Sequence, residues 1–319
     1  MRLRGIGPEV LLLCFLLVAA AAFLLGRRTS RGRRLRRDLD YFQGLDHLVN
    51  DRFDRATEVF TRLATKSHDA DIQFALGSLM RKRGEVDRAI AIHTELMQHR
   101  EAPIRERATL ALGLDYMSAG LLDRAEEKLR NLLGSPAYRA AVLEKLAWVY
   151  EQQRDWRAAL ETWRELPPEL QRERAGVAAH YCCELDEATL AAGDLAAART
   201  QLAAARAHDA TSARAGILAA RIAAAAGEMD KALALYVAAF QASRSVTDAF
   251  IGEARTALGA AARELDARLV AQPPQDDSAA RSPAPYRCDQ CGVASITWHW
   301  RCPSCRSYDS LQSVHNHGD

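Results

Sequence analysis

The chain has 319 residues, of which 49% are hydrophobic, 26% charged and 7% aromatic, a composition typical of folded domains and not of disordered chains. Its formal charge of +2 conceals an asymmetry, because residues 1–37 carry nine arginines and one acid, whereas residues 38–319 carry 34 basic and 40 acidic groups. A body with a net negative charge lacks the clustered positive surface that binds phosphates, so we expect no nucleic-acid partner.

The N-terminal segment is predicted to cross a membrane once. Residues 10–25 are an unbroken apolar run, and residues 6–25 form about 30 Å of helix, the thickness of a hydrocarbon core. The alternative is a cleaved signal peptide, since Arg2 and Arg4 precede the run and small residues occupy positions 20–22.

The residues after this run favour a retained anchor. Seven arginines lie between positions 27 and 37 with no acid among them, and such a block keeps its side of the membrane in the cytoplasm. We therefore expect a transmembrane anchor at residues 1–26, a basic juxtamembrane segment at 27–37, a periplasmic N-terminus and a cytoplasmic body in the cell inner membrane.

Residues 38–271 are predicted to be α-helical and repetitive, since apolar residues recur there at helical spacing. A short motif ending in alanine recurs at separations of 33, 36, 34, 39 and 34 residues. The alanines are Ala56, Ala89, Ala125, Ala159, Ala198 and Ala232. This period is typical of the tetratricopeptide repeat, a pair of helices that stacks on its neighbours. The predicted fold class is all-α: a solenoid of about six repeats plus a capping helix region at 247–269.

Other positions of each repeat agree with this interpretation. Small residues lie 12 positions before the alanine, at Gly44, Gly77, Gly113 and Ala147; turn glycines lie five before it, at Gly84, Gly120, Gly193 and Gly227; large apolar residues lie four after it, at Phe60, Leu129, Trp163, Leu202 and Tyr236. The pattern identifies the repeat architecture but does not indicate which ligand the repeats bind. No Walker A loop or hydrolase signature is present, so we expect that the protein is not an enzyme.

Several reactive or aromatic residues within the repeats are predicted to be structural. Neighbouring Cys182 and Cys183 point about 100° apart on a helix, so we expect one of them to face the core. Trp148, Trp156 and Trp163 are spaced for helix packing, which favours a place in the core over an aromatic cage.

A cysteine module is predicted at residues 286–319, after a Pro-rich linker at 272–285. Two Cys-x-x-Cys motifs separated by ten residues supply four thiolates, at Cys288, Cys291, Cys302 and Cys305. This spacing indicates one tetrahedral metal site, with zinc as the expected ion and iron as the alternative. Two disulfides are the remaining alternative, but they conflict with a cytoplasmic location.

The rest of the module suggests how it folds. About 34 residues bury little core, so metal binding is expected to provide most of the folding free energy, on the order of 10 kcal/mol or more. Residues 293–300 are rich in β-branched and aromatic side chains, which predicts a strand between the two motifs. We expect Tyr286, Trp298 or Trp300 to cover the metal site and the module to fold separately from the repeats.

Taken together, the chain resembles the lipopolysaccharide assembly protein B family of Gram-negative bacteria. The resemblance lies in the single membrane helix with its basic block, the first repeat at Asp40 to Leu45, and above all the segments Tyr286 to Cys288 and Trp300 to Arg306. These segments look like the family's rubredoxin-like metal module, including an arginine, Arg306, where rubredoxin has glycine.

The resemblance implies a regulatory adaptor of the inner membrane. It would present the deacetylase of the lipid A pathway to a membrane AAA+ protease for degradation and so restrain lipopolysaccharide synthesis. The membrane helix, Leu11 to Leu25 here, would contact the protease and an antagonist inner-membrane protein, while the repeats and module would contact cytoplasmic partners. The resemblance also implies that Cys288, Cys291, Cys302 and Cys305 are the metal ligands.

Two other functions stay open from the residues alone. One is a redox protein whose four-cysteine site holds iron and transfers electrons; the other is a scaffold for a different envelope assembly system. The chain also departs from the family pattern, since it is shorter by roughly one or two repeats of ~34 residues and its Pro-rich linker is longer.

Overall fold

The computed structural model describes residues 39–67, 69–269 and 285–314. The predicted membrane anchor, the basic segment and nearly all of the predicted linker lie outside these ranges. Within them, no helix combines the length and the apolar character needed to cross a bilayer. The chain divides into two compact units between Val142 and Leu143.

The first unit consists of helices that pack against their neighbours in the chain. They are α1 (39–49), α2 (Phe53–Ala64), α3 (Ala70–Lys82), α4 (Val86–Leu96), α5 (Ala102–Ser118) and α6 (Leu122–Arg130), followed by the start of α7 (Arg139–Gln153). Helices α2, α3 and α4 share one hydrophobic cluster, against which side chains of α1 also pack.

The second unit contains the remaining helices and a small sheet. The helices are α8 (Trp156–Arg164), α9 (Pro168–Glu173), α10 (Ala175–Ala191), α11 (Leu195–His208), α12 (Ala213–Ala225), α13 (Met229–Ala242), α14 (Arg244–Leu258) and α15 (Ala262–Leu269), with a 3-10 turn at Gly259–Ala261. The strands are β1 (Tyr286–Cys288), β2 (Ala294–Ser295) and β3 (Leu311–Ser313), in the order β2-β1-β3 and antiparallel.

The recurring positions of the repeats lie where the sequence pattern places them. All six repeat alanines are fully buried: Ala56, Ala89, Ala125, Ala159, Ala198 and Ala232. A Cβ atom on Gly44 would lie 2.8 Å from the ring of Phe60, and one on Gly113 would lie 2.9 Å from Leu129. In these two repeats the large residue thus packs on the small one, and the prediction of a mostly helical fold of tetratricopeptide repeats is confirmed.

The turn between the two helices of a repeat requires a left-handed backbone. The four turn glycines have φ between +72° and +80°, at Gly84, Gly120, Gly193 and Gly227. The same position is held by Asp51 in the first repeat and by Arg154 in the fourth, with φ of +54° and +58°. A side chain is strained in this region, so these two residues depart from the pattern at a cost in stability.

One helix was not expected from the sequence. The short α9 lies between the fourth and fifth repeats, where Ala159 and Ala198 are 39 residues apart, and Pro168 stands at its first turn. Proline favours the start of a helix because its fixed φ suits the first turn and its missing N–H would have no partner there. The additional residues of this longer interval form α9.

The strand predicted over residues 293–300 is wrong for most of its length. Only Ala294–Ser295 pairs with β1, where Tyr286 lies opposite Ser295. Beyond it the chain leaves the sheet, so that Trp298 and Trp300 pack against Phe250 of α14. Aromatic side chains favour strands because they pack well, and here they pack against a helix instead.

Candidate metal centre

The four cysteines of the two Cys-x-x-Cys motifs converge on one point. The sulfurs of Cys288, Cys291, Cys302 and Cys305 all lie within 4.8 Å of one another. Two of the separations are 3.6 Å, between Cys288 and Cys305, and 3.7 Å, between Cys291 and Cys302. Bonds of about 2.3 Å to a tetrahedral metal would separate the sulfurs by about 3.8 Å. The cluster therefore fits a four-thiolate metal-binding site.

Each Cys-x-x-Cys motif closes a tight turn with a left-handed residue directly after its second cysteine. The amide of Gly292 donates to the carbonyl of Cys288 at 2.9 Å, and the amide of Arg306 donates to that of Cys302 at 3.0 Å. Gly292 has φ +72° and Arg306 has φ +65°. The two turns are thus equivalent, although only one of them has glycine at the left-handed position.

Hydrogen bonds around two of the sulfurs favour the thiolate form. At Cys288, desolvation raises the pKa, but hydrogen bonding with the Ser310 hydroxyl and with the amide of Cys291 outweighs it and lowers the pKa to about 6. The hydroxyl and the amide of Ser307 likewise lower the pKa of Cys305. Low thiol pKa values assist metal binding, since thiolates are the ligands.

Cys291 behaves differently because the four sulfurs compete for negative charge. The amide of Val293 lowers the pKa of this thiol, but desolvation and hydrogen bonds with the neighbouring Cys305 and Cys288 outweigh it and raise the pKa to about 11. Crowded like charges cannot all form without compensation. A bound cation would supply that compensation and hold all four groups as thiolates.

The sulfurs lie at the edge of a small apolar cluster. Cys288 and Cys302 are buried, whereas Cys291 and Cys305 are exposed. Tyr286, Leu311 and Trp298 pack against the buried pair, and the indole N–H of Trp298 donates to the Leu311 carbonyl at 3.2 Å. Tyr286 and Trp298 therefore cover the site as expected.

Trp300 does not cover the metal site. Its ring stacks on Phe250 of α14 at 5.3 Å between centroids, and it joins the hydrophobic cluster built by α12 to α15. The module is therefore not an isolated body, because one of its tryptophans packs in the helical core of the second unit.

Polar contacts extend this junction between the module and the helices of the second unit. Arg301 forms an ion pair with Glu151 of α7, and the Arg306 guanidinium donates to the side-chain oxygen of Gln152. Arg306 also lies 5.1 Å from the ring centroid of Trp148. Arg306 thus occupies the usual glycine position of its turn while its side chain contacts α7.

A second set of contacts joins the module to α14. The Ser313 amide donates to the hydroxyl of Ser245 at 2.8 Å, and the Ser313 hydroxyl donates to the Asp248 carboxylate at 2.8 Å. No sequence pattern indicated these partners, since they are 65 to 68 residues apart along the chain. The one local feature that the sequence shows here is Ser245, a serine in the first turn of α14.

Two expectations for residues within the repeats need correction. Only one of Cys182 and Cys183 was expected to face the core, but both are buried, and burial raises the pKa of both thiols, to about 12 for Cys183. Of the three tryptophans expected in the core, only Trp163 is buried; Trp148 contacts the module and Trp156 lines a cavity.

Comparisons with known proteins agree with both parts of the fold. Residues 286–313 match the family described as rubredoxin metal binding domain, and residues 74–103 match the tetratricopeptide repeat family. The C-terminal part of a TPR repeat-containing protein from Cytophaga hutchinsonii is similar in structure, with a TM-score of 0.52 and 13% identity over 75% of this chain and 97% of that one. The likeness to that structure concerns the fold alone.

Two curated proteins are similar along nearly the whole chain. Lipopolysaccharide assembly protein B of Escherichia coli K12 is 27% identical over 381 aligned positions, covering 96% of this chain and 98% of that protein. The protein of the same name from Haemophilus influenzae is 23% identical, covering 97% and 98%. The alignment is longer than the 319 residues of this chain, so some residues of that protein have no counterpart here. The resemblance seen in the sequence is confirmed: the chain is a homologue of proteins named lipopolysaccharide assembly protein B.

Proposed function

We propose that the protein is an inner-membrane adaptor that restrains lipopolysaccharide synthesis by presenting the deacetylase of the lipid A pathway to a membrane AAA+ protease. The observation that carries the proposal is the similarity to lipopolysaccharide assembly protein B over 96% of this chain, a share too large to be confined to the repeats. A relative that shared only the repeats would support nothing beyond protein binding.

The described residues suit an adaptor. Repeats of this type hold other proteins on surfaces formed by successive helices. In the second unit, the module and the helices form one continuous body, because Trp300 lies in the helical cluster and Arg301 pairs with Glu151. A partner bound at this junction would contact both parts at once.

We propose that the metal is zinc and that its role is structural. Four cysteine ligands leave no coordination position for water or substrate, which is typical of structural zinc sites. The alternative is iron with a redox function, since tetrahedral thiolate sites also hold iron. Elemental analysis with an absorption spectrum of the purified protein separates them: zinc gives no visible band, whereas iron gives a colour that changes reversibly on reduction.

The membrane anchor at residues 1–26 belongs to this proposal, with the N-terminus in the periplasm and the body in the cytoplasm. Arginines after the apolar segment support this orientation. A reporter that is active only in the periplasm, fused after Asp319, should be inactive. Activity of that reporter would contradict the orientation.

Co-purification from native membranes tests the adaptor role. The full chain, isolated in mild detergent, should carry the membrane protease, the deacetylase and an antagonist inner-membrane protein. Recovery of components of another envelope assembly system in their place would favour the scaffold function.

A further inference from the structure

A cavity of about 500 Å³ lies between the metal module and the helices of the second unit. Five aromatic residues line it: Trp156, Phe250, Trp298, Trp300 and Tyr308. Neither the repeat pattern nor the metal site requires an open cavity at this place. Its aromatic walls are of the kind that bind large apolar side chains of a ligand.

Two of the three arginines that line the cavity form ion pairs with carboxylates, and the third does not. Arg301 pairs with Glu151, and Arg214 pairs with Glu184 at 2.9 Å. Arg154 also lines the cavity, and its guanidinium forms no ion pair or hydrogen bond with any residue that the structure describes. The cavity therefore presents one uncompensated positive charge beside its aromatic walls.

Arg154 stands at a position where glycine is the better residue. It holds the left-handed turn that Gly84, Gly120 and Gly193 form in other repeats, with φ of +58°. A strained non-glycine residue that also lines a cavity points to a role for its side chain.

Two further groups near the cavity can donate a hydrogen bond to a ligand. The side-chain N–H groups of Gln152 and the hydroxyl of Tyr308 are buried without a partner in the described structure. The oxygen of Gln152 already accepts from Arg306, and the Glu151 carboxylate accepts from both Tyr181 and Arg301. A ligand that supplies acceptor oxygens would therefore match this site better than a cationic one.

We propose that this cavity binds an acidic peptide segment of a partner protein. A carboxylate of the segment pairs with Arg154, and a large apolar side chain next to it lies between the aromatic walls. The inference rests on the proposed adaptor function. It adds to that function the kind of ligand, an acidic peptide, that the repeats and the module bind together.

Peptide binding to the full chain tests this directly. The metal-loaded protein in detergent micelles is titrated with the capped peptide Ala-Glu-Phe-Glu-Ala and with versions carrying Gln or Lys in place of Glu, and the fluorescence of the tryptophans in the cavity is followed. We expect the acidic peptide to bind at least ~10-fold more tightly than the Gln version, since hydrogen bonds to charged groups contribute that much. Equal binding of all three peptides, or no binding, would overturn the proposal.

Variants at the left-handed turns assign the effect to one side chain. R154G should lose the preference for the acidic peptide without unfolding, because glycine suits this turn, and R154K should retain most of it. D51G is the matched control: it relieves the same backbone strain in the first repeat, far along the chain from the cavity residues, and should leave binding unchanged. Unchanged acidic binding by R154G would contradict the proposal.

Failure of the proposed peptide site can be distinguished from failure of the proposed adaptor function. Peptide binding is measured on the purified protein, whereas the adaptor function is measured as turnover of the deacetylase in cells. Failure of peptide selectivity with normal turnover would overturn the role of this cavity alone.

Discussion

Nε2 of His180 in α10 lies 2.8 Å from a carboxylate oxygen of Asp309 in the metal module, and the ring of Tyr308 stacks on the same imidazole at 4.4 Å between centroids. His180 is buried, and Asp309 holds a left-handed backbone with φ of +52°. The module therefore contacts the repeats through a residue in a strained conformation, as it also does through Arg306.

We predict that removing the metal destabilises the C-terminal repeats as well as the module. The loop that carries Cys302 and Cys305 also carries Arg301, Arg306 and Asp309, which contact α7 and α10. Chelation, or C288S, should lower the temperature at which helical circular dichroism is lost. A helical transition that is identical with and without metal would show that the junction contributes no stability.

The contact between His180 and Asp309 is predicted to contribute about 1 kcal/mol, the typical net value for a hydrogen bond that is partly exposed. A double-mutant cycle with H180A and D309A, followed by urea unfolding, measures this coupling. If the contact stabilises the fold, the double variant should be destabilised by about 1 kcal/mol less than the sum of the two single variants. Strict additivity would mean that the contact is not formed in solution.

In the first unit, Asp115 is predicted to be a key buried charge. It is fully buried, lies 2.6 Å from Arg81 and 2.5 Å from Nδ1 of His93, and joins α3, α4 and α5. D115N should destabilise the protein by about 3 kcal/mol, because removal of one member of a buried ion pair leaves its partners uncompensated. E58Q, at an exposed position in the middle of α2, is the control and should change the free energy of unfolding by less than about 0.5 kcal/mol.

A loss of less than about 1 kcal/mol for D115N would contradict this account of the first unit. Urea unfolding monitored by circular dichroism gives the comparison. The result does not depend on the metal, so it should be the same after chelation.

Asp186 of α10 is predicted to make stability depend on pH. Its carboxylate is fully buried and has no hydrogen-bond partner among the residues that the structure describes, and burial, assisted by the nearby Glu187, raises its pKa to about 7. Since the unfolded chain has a pKa of about 3.9, the folded state holds the proton more tightly, and this residue destabilises the fold progressively as the pH rises from about 4 to about 7.

The variant D186N removes this titration. Between pH 5 and pH 8 the native protein should therefore lose more stability than D186N, by an amount on the order of 2 kcal/mol. The exposed D230N is the control and should show the native pH dependence. Parallel pH profiles for the native protein and D186N would refute the prediction.

The repeats were predictable from the sequence because their signal is local. The first repeat shows this with Gly44, Ala56 and Phe60, which lie within 16 residues of one another. Where its two helices cross, the first two positions need small side chains and the third a large one. The four-cysteine cluster was predictable for a similar reason, since each pair has the local spacing of one tight turn, and the four sulfurs lie within 4.8 Å of one another.

The junction of the module with the repeats was not predictable in this way. Arg301 and Glu151 are 150 residues apart, and nothing near either residue indicates its partner. Trp300 misled the strand prediction, because an aromatic residue has the same pattern whether it packs on a sheet or on a helix. Asp186 was missed as well, although it stands at the position where other repeats have glycine or alanine.

The most direct test of the adaptor function is the half-life of the lipid A pathway deacetylase in cells that produce only residues 27–319. Tethering two partners in one membrane raises their effective concentration, so a body without its anchor should fold and bind the deacetylase yet fail to promote its degradation. We predict that the deacetylase is stabilised in these cells and is short-lived in cells with the full chain. Normal turnover with the truncated protein would contradict a tethered adaptor.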